Sequence, residues 1–259
     1  MSEKPVKLSA IIIARDEENN IRVCLESIKW IKEIIVVVDS RTTDRTEKIA
    51  REYTSHVFMV EWLGYAGSKN YALEQASGEW VLWLDADEVV SPSLEFEIQR
   101  VIHENEAYVG YEIPRLAYFV GRWIYHSGWY PGYVLRLFKR EQARFKSVLV
   151  HEGVEIEGPI GRLRANIHHY TDRNIRHYFS KFNQFTSLAA EEMANQGKHF
   201  RVMDLIFRPF FIFIKMYFLR RGYFDGLQGF MLAVFSASYV FTKYAKLWEL
   251  EQGFGRGTS

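Results

Sequence analysis

Glu79-Trp-Val-Leu-Trp-Leu-Asp-Ala-Asp-Glu88 is an apolar, strand-forming run that stops abruptly at two aspartates separated by one alanine. On an extended chain side chains repeat every second residue, so Asp85 and Asp87 are expected to point the same way at the strand's end while Ala86 faces back. Two carboxylates so placed are ligands for Mg²⁺ or Mn²⁺, and such a cation completes its shell with water and substrate phosphate. The plainer use of the same residues is to close the strand ahead of the helix that Ser91-Pro92 opens. Position favours chemistry, because ligands of open α/β sheets gather at the carboxyl ends of the strands.

Outward from this run the first half of the chain alternates. Leu8–Ala14 reads as a buried strand, Asn19–Lys29 as an amphipathic helix through Ile21, Leu25 and Ile28, and Glu33–Val38 as a second buried strand. A helix opened by Asp44 and Glu47 runs to Tyr53, followed by a strand at His56–Val60, a helix at Gly67–Ala76 and the strand Trp80–Leu84. Strands separated by helices of this length require right-handed crossovers and a mainly parallel sheet. After Val101 the rhythm changes to strands at Tyr108–Ile113, Val134–Lys139 and Gly153–Glu157 between Gly and Pro punctuation, a mixed extension of that sheet. From Arg173 to about Glu251 the pattern is helical. The expected organisation is an α/β domain over residues 1–172 and a helical region over 173–259.

A chain of 259 residues that is 48% hydrophobic can bury one large core and carry an appendage. Lys+Arg 33 against Asp+Glu 32 gives no global field and excludes nucleic acid as the expected partner. The lone Cys24 cannot form an internal disulfide, and the first residues lack an apolar h-region, so a cytoplasmic location is expected.

Each early strand ends in acidic or polar residues: Ala14-Arg-Asp-Glu17, Asp39-Ser-Arg-Thr-Thr-Asp44 and the Asp85/Asp87 pair. In a doubly wound sheet these converge on one crevice. No G-x-G-x-x-G follows the first strand, which argues against a dinucleotide site and for a mononucleotide held by acids at ribose and base. Gly67-Ser-Lys-Asn70 is expected to open its helix, where backbone N–H groups and Lys69 can address an anion or sugar; a solvated first-turn lysine is the alternative. Arg136 offers a fork of donors to a diphosphate. Trp123, Trp129 and Tyr130 are candidate platforms for the apolar face of an acceptor sugar, or ordinary core.

The order Ala-Arg-Asp-Glu, Val-Val-Val-Asp-Ser-x-x-Thr-Asp-x-Thr, Gly-x-x-Lys-Asn and Trp-x-Leu-x-Leu-Asp-Ala-Asp-Glu resembles the family 2 glycosyltransferases with the GT-A fold. Gly-Trp-Tyr-Pro, Arg136-Leu-Phe and Val-His-Glu152 resemble the branch containing lipopolysaccharide core glucosyltransferases of the WaaE type, over about residues 6–190. The resemblance implies a Rossmann-like GT-A domain in which Asp16, with Glu17 beside it, and Asp39 contact the nucleoside. Lys69, Asn70, Asp85, Trp129 and Arg136 would serve donor and acceptor, and Asp85 and Asp87 would hold Mg²⁺ or Mn²⁺ on the diphosphate. Glu152 would be the base of an inverting transfer from a nucleotide sugar, UDP-linked, to a lipid-linked saccharide. The family more commonly has Glu-Asp where this chain has His151-Glu152. His151, His168 and His169 are candidate extra metal ligands, with satisfied structural histidines as the alternative. A nucleotidyltransferase, which would need a glycine-rich phosphate loop after the first strand, and a catalytically inactive membrane scaffold are the rival functions.

Asp204–Leu219 packs aromatic and aliphatic residues between cations, and Lys198–Tyr223 holds six Lys/Arg against one acid. Arg208 and Lys215 interrupt this segment, and Gly229–Phe241 is too short alone, so a helix lying in the membrane interface, at the inner face of the cytoplasmic membrane, is expected rather than a span. A helical core or a homo-oligomer interface is the alternative, and Pro209 is expected to start or kink the segment.

Overall fold

The structure, a computed structural model, describes residues 7–104, 107–146, 153–172 and 174–254. The alternating first half forms β1 (Leu8–Ala14), α1 (Ile21–Ser27), β2 (Glu33–Asp39), α2 (Thr46–Ala50), β3 (Val57–Val60), α3 (Gly64–Gln75) and β4 (Trp80–Asp85). β2 pairs β1 and β3, and β1 pairs β4, all parallel. Next come β5 (Glu88–Val90), α4 (Pro92–Glu104), β6 (Gly110–Phe119), β7 (Arg122–Ile124), β8 (Gly132–Lys139), β9 (Ala143–Lys146), β10 (Gly153–Ile156), β11 (Ile160–Arg162) and β12 (Ile167–Asp172). The sheet runs β3-β2-β1-β4-β8-β6-β12-β5, with β7 and β11 on β6 and a separate β9–β10 hairpin. β8 joins β4 antiparallel. This is the expected α/β GT-A plan: a parallel half with a mixed extension.

Two parallel faces must both be covered, and alternate residues divide between them. Ala10, Ile12, Val36, Val38, Leu82 and Leu84 pack with α1 and α4, whereas Ile11, Ile35, Val37, Val81 and Trp83 pack with α3 and with Phe138 and Phe145. Cys24 belongs to the first of these layers, and burial, followed by the nearby Glu88, pushes its thiol pKa up, so it is inert packing. Ser91 caps α4 as expected, its Oγ accepting the N–H of Leu94 at 3.3 Å.

The chain divides into two compact units, Met1–Arg115 with Gly132–His169, and Leu116–Pro131 with Tyr170–Ser259. The division differs from the expected 1–172 and 173–259 by assigning residues 116–131 and 170–172 to the helical unit. Within that unit lie α5 (Ile175–Asn195), α6 (Val202–Ile214), a π-helical turn at Lys215–Leu219 and α7 (Gly226–Gln252). Phe119 and Ile124 of the β6–β7 hairpin share a core with Leu232. Buried Asp225, just before α7, accepts the N–H groups of Tyr125 at 3.2 Å and His126 at 2.8 Å, with the His126 Nδ1 at 3.0 Å. Gly229 meets Gly222 where a Cβ would lie 1.9 Å from the Gly222 carbonyl oxygen, so no other residue fits. Pro209 sits inside α6 and neither starts nor ends it. α7 is a single helix, and Gly222–Gln252 is long and apolar enough to cross a membrane, a length that the reading of Gly229–Phe241 alone underestimated.

Candidate active site

The register of the parallel strands brings the acidic ends to one edge. Ala14 lies opposite Val38, and Ile13 opposite Asp85, so the loops after β1, β2 and β4 leave the sheet side by side. The first two are stitched together: Asp16 Oδ1 accepts the N–H of Thr43 at 2.8 Å, Asp44 Oδ2 that of Glu18 at 2.8 Å, and Thr46 Oγ1 that of Glu17 at 2.8 Å. Asp16 adopts φ 53°, the left-handed region that a non-glycine residue occupies only under local constraint, and that bond to Thr43 is the constraint seen.

Asp39 is buried at the end of β2 and spoken for by arginine. Arg41 donates through its backbone N–H at 3.0 Å and through Nη2 at 2.7 Å, and Arg15 Nη1 stands 3.7 Å away. The Arg41 hydrogen bonds, against the opposing effect of burial, hold its carboxyl down at about 2. A nucleoside contact at Asp39 therefore requires Arg41 to give way.

At the end of β4 the strand stops at Asp85, and Ala86-Asp87 turns into β5. The period of two thus does not extend to Asp87, and the expected common direction fails as a derivation. Asp85 Oδ2 takes Arg136 Nη2 at 2.6 Å, and Asp87 Oδ2 faces His169 Nε2 at 3.2 Å. The second oxygen of each carboxylate accepts no hydrogen bond among the described residues. Burial alone would raise the Asp85 pKa; Arg136 and then Lys69 outweigh it and hold the carboxyl at about 2. Among the described residues no group of three or more His, Cys, Asp and Glu is placed to hold a metal. The donor set fits a hard cation that keeps open positions for water and phosphate, and does not fit a closed structural site.

Behind the aspartates lie Lys69 and Arg136, the two cations that the sequence offered to an anion, gathered on one aromatic ring. The indole of Trp83, on the same face of β4 as Asp85, is flanked by Arg136, whose Cζ is 3.8 Å from the ring centroid, and by Lys69, whose Nζ is 4.1 Å away. Desolvated cation–π contacts of this kind contribute about 2 kcal/mol each. Lys69 is buried, which removes the solvated-lysine alternative. Arg136 is only 2% exposed, and its Nε and Nη1 find no partner among the described residues. Buried orphan donors are costly, and an ordered water or an anion is the kind of partner that satisfies them.

Two expectations are corrected here. α3 begins at Gly64, three residues earlier than read, so Gly67–Asn70 lie beyond its first residues and do not open the helix. Asn70 spends its amide on the backbone of Phe145, donating to its oxygen at 2.8 Å and accepting its N–H at 3.0 Å; its role is to tie α3 to β9. Trp129 lies in the helical unit, packed edge-on to Phe119 at 6.0 Å. His151 and Glu152 lie outside the described residues. His168 is half-buried, and burial lowers its pKa. Glu88 and Arg115, which enter the Arg136 network, were missed, although Glu88 adjoins the aspartate pair in the sequence.

Comparison with known proteins gives the family of the chain. The chain is 34% identical over 254 residues to the lipopolysaccharide core biosynthesis glycosyltransferase LpsC of Rhizobium meliloti (strain 1021), covering 93% of this chain and 92% of that protein. It is 31% identical over 255 residues to the uncharacterized glycosyltransferase RT0209 of Rickettsia typhi (strain ATCC VR-144 / Wilmington), covering 94% and 87%. Among solved structures it resembles S. aureus TarS 1-349 in complex with UDP-GlcNAc at 16% identity and a TM-score of 0.48, covering 97% of this chain and 92% of that one. Residues 9–165 match the family described as Glycosyl transferase family 2, and the chain belongs to it: the protein is a glycosyltransferase.

Proposed function

We propose that the protein is an inverting, metal-dependent hexosyltransferase that moves a sugar from a UDP-linked donor to a lipid-linked glycan of the lipopolysaccharide core type. The observation that carries this reading is the carboxylate pair ending β4, each with an uncommitted oxygen, beside buried Arg136 donors that no described protein group satisfies. The name of the Rhizobium relative supports the acceptor class.

Asp85 and Asp87 are the residues that would hold Mg²⁺ or Mn²⁺, with His169 bracing Asp87. When bound, that ion supplies neutralisation of the departing nucleoside diphosphate. Lys69 adds fixed positive charge and Arg136 its two unsatisfied N–H donors in a layer that water does not reach, where such groups act more strongly than in solution. Asp16, and Asp39 once Arg41 moves, would orient the nucleoside. Glu152 would take the proton of the acceptor hydroxyl as the anomeric carbon is transferred, and His151 beside it is a candidate further ligand.

The helical unit supports attachment to the inner face of the cytoplasmic membrane. α6 has no buried residue, and Ile206, Phe207, Phe210 and Phe211 are each more than half exposed. Arg201, Arg208, Lys215, Arg220 and Arg221 border them, the pairing of aromatic face and cations that suits an anionic bilayer surface. The packing of α7 against α5 and α6, and its Lys243 and Lys246, favour lying in the interface over spanning it.

Calorimetric titration of UDP into the full chain, with and without Mn²⁺, tests the donor site. Tighter UDP binding with metal is expected; equal binding would sink the reading. A screen of sugar nucleotides for slow metal-dependent hydrolysis then identifies the hexose.

A further inference from the structure

Glu88 has no part in the chemistry above, yet its side chain is fully buried. Its Oε2 accepts the backbone N–H of Asp85 at 3.0 Å, closing the turn that carries both aspartates. Its Oε1 receives Arg136 Nη2 at 2.7 Å, and Arg115 Nη1 stands 3.5 Å from it. The same Nη2 of Arg136 lies 2.6 Å from Asp85 Oδ2. Arg136 is thus shared between one carboxylate that is sealed in and one that is 34% exposed at the site.

That sharing matters for a cation. A guanidinium so close to Asp85 competes with a divalent ion for the same negative charge and repels it. A second carboxylate on the same guanidinium nitrogen offsets this, because it cancels positive charge without taking up a ligand position. A carboxylate this deeply buried persists only where its partners hold it, and two of the three partners of Glu88 are the Asp85 amide and the arginine that Asp85 shares.

We propose that Glu88 is a positioning residue of the cation site: it neutralises Arg136, leaving the charge of Asp85 for a divalent metal, and fixes the Asp85–Asp87 turn through the Asp85 amide. The inference rests on the donor-site reading above. It yields effects of opposite sign at two residues. Glu88→Gln keeps the volume and an acceptor but removes the charge, so more metal should be needed. Arg115→Gln strips a cation from Glu88, so less should be needed.

The experiment is calorimetric titration of UDP into the full chain over a series of Mn²⁺ concentrations, reading the Mn²⁺ level that gives half of the maximal UDP binding. Glu88→Gln is expected to raise that level about tenfold, and Arg115→Gln, more exposed and more distant, to lower it about twofold. An unchanged Mn²⁺ requirement in Glu88→Gln overturns the proposal. So does an unchanged or raised requirement in Arg115→Gln, the outcome expected if this network only stiffens the turn. Should Glu88→Gln fail to melt cooperatively, the Arg115→Gln result decides alone. UDP binding by the unmodified protein that ignores Mn²⁺ would instead defeat the donor-site reading itself, and the proposal with it.

Discussion

The edge of the first unit and the outer face of the second treat exposed chemistry in opposite ways. At the strand ends, charged groups that water would readily solvate are withdrawn and paired: Asp39 with Arg41, Glu88 and Asp85 with Arg136, and Lys69 and Arg136 with the Trp83 ring. On α6, apolar groups that a core would readily bury are left out, from Val202 at 60% exposed to Leu219 at 67% in the turn that follows. Burying charge costs several kcal/mol per ion unless it is well paired, and leaving aromatics in water forgoes about 1.5–3 kcal/mol each. Under the proposed function each surface is completed by something else, an anionic donor with its cation in one case and a lipid interface in the other.

The sharpest way to break the first half of that comparison is to remove a ligand. Asp87→Asn keeps volume and can still face His169, but loses the charge that would grip the cation, so transfer should fall by about a thousandfold or more. Sugar release from a labelled donor measures it, and a loss of less than tenfold would exclude Asp87 as a metal ligand. Next in size is Glu152→Gln, expected to lower transfer by about 10²–10⁴-fold while Mn²⁺-dependent UDP binding stays near that of the wild type. Parallel loss of binding would move Glu152 from the proton transfer to the donor site.

For the second unit, charge on the apolar face is the probe. Phe210→Asp together with Phe211→Asp should cut co-sedimentation with anionic vesicles at least about tenfold, because two large apolar side chains lose their lipid contact and two negative charges meet an anionic surface. Neither residue is buried, so the melting temperature should hardly move. Undiminished vesicle binding would assign the face to another partner, a second copy of the chain being the first to test.

What was legible in the sequence follows the range of the interactions. β1, β2 and β4 are written in uninterrupted apolar runs whose burial on both faces is a local property, and their polar ends follow from the same runs. The Ser91-Pro92 start of α4 is equally local. β5, β7 and β11 are three residues each, too short for a period to mark them, and β5 and β11 exist because the distant strands β12 and β6 pair with them. The period of two does not reach Asp87 because a turn replaces the strand at Ala86, where the Glu88 carboxylate accepts the Asp85 amide. Glu88 itself was invisible because its partner Arg136 lies 48 residues away. The helical boundaries of α1 and α2 shrank from Asn19–Lys29 to Ile21–Ser27 and from Tyr53 back to Ala50, since short helices fray where no side chain caps them.

The smallest expected effect concerns acid. Asp39 has a carboxyl held at about 2 by Arg41, below the roughly 3.9 of an unfolded aspartate. A group whose folded pKa is depressed contributes stability that is fully present above the unfolded value and disappears as pH falls through the folded one. Asp39 should therefore support the fold at neutral pH and give up that support between about pH 4 and pH 2. Melting temperatures of the wild type should decline across this window, and Asp39→Asn, which cannot take up the proton, should decline less steeply while starting lower. Arg41→Ala should behave alike, because it removes the donor that depresses the carboxyl. If instead Arg41→Ala leaves the acid limb unchanged, Arg41 and Asp39 are not paired in solution, and the crevice stands open to a nucleoside without any side chain having to move.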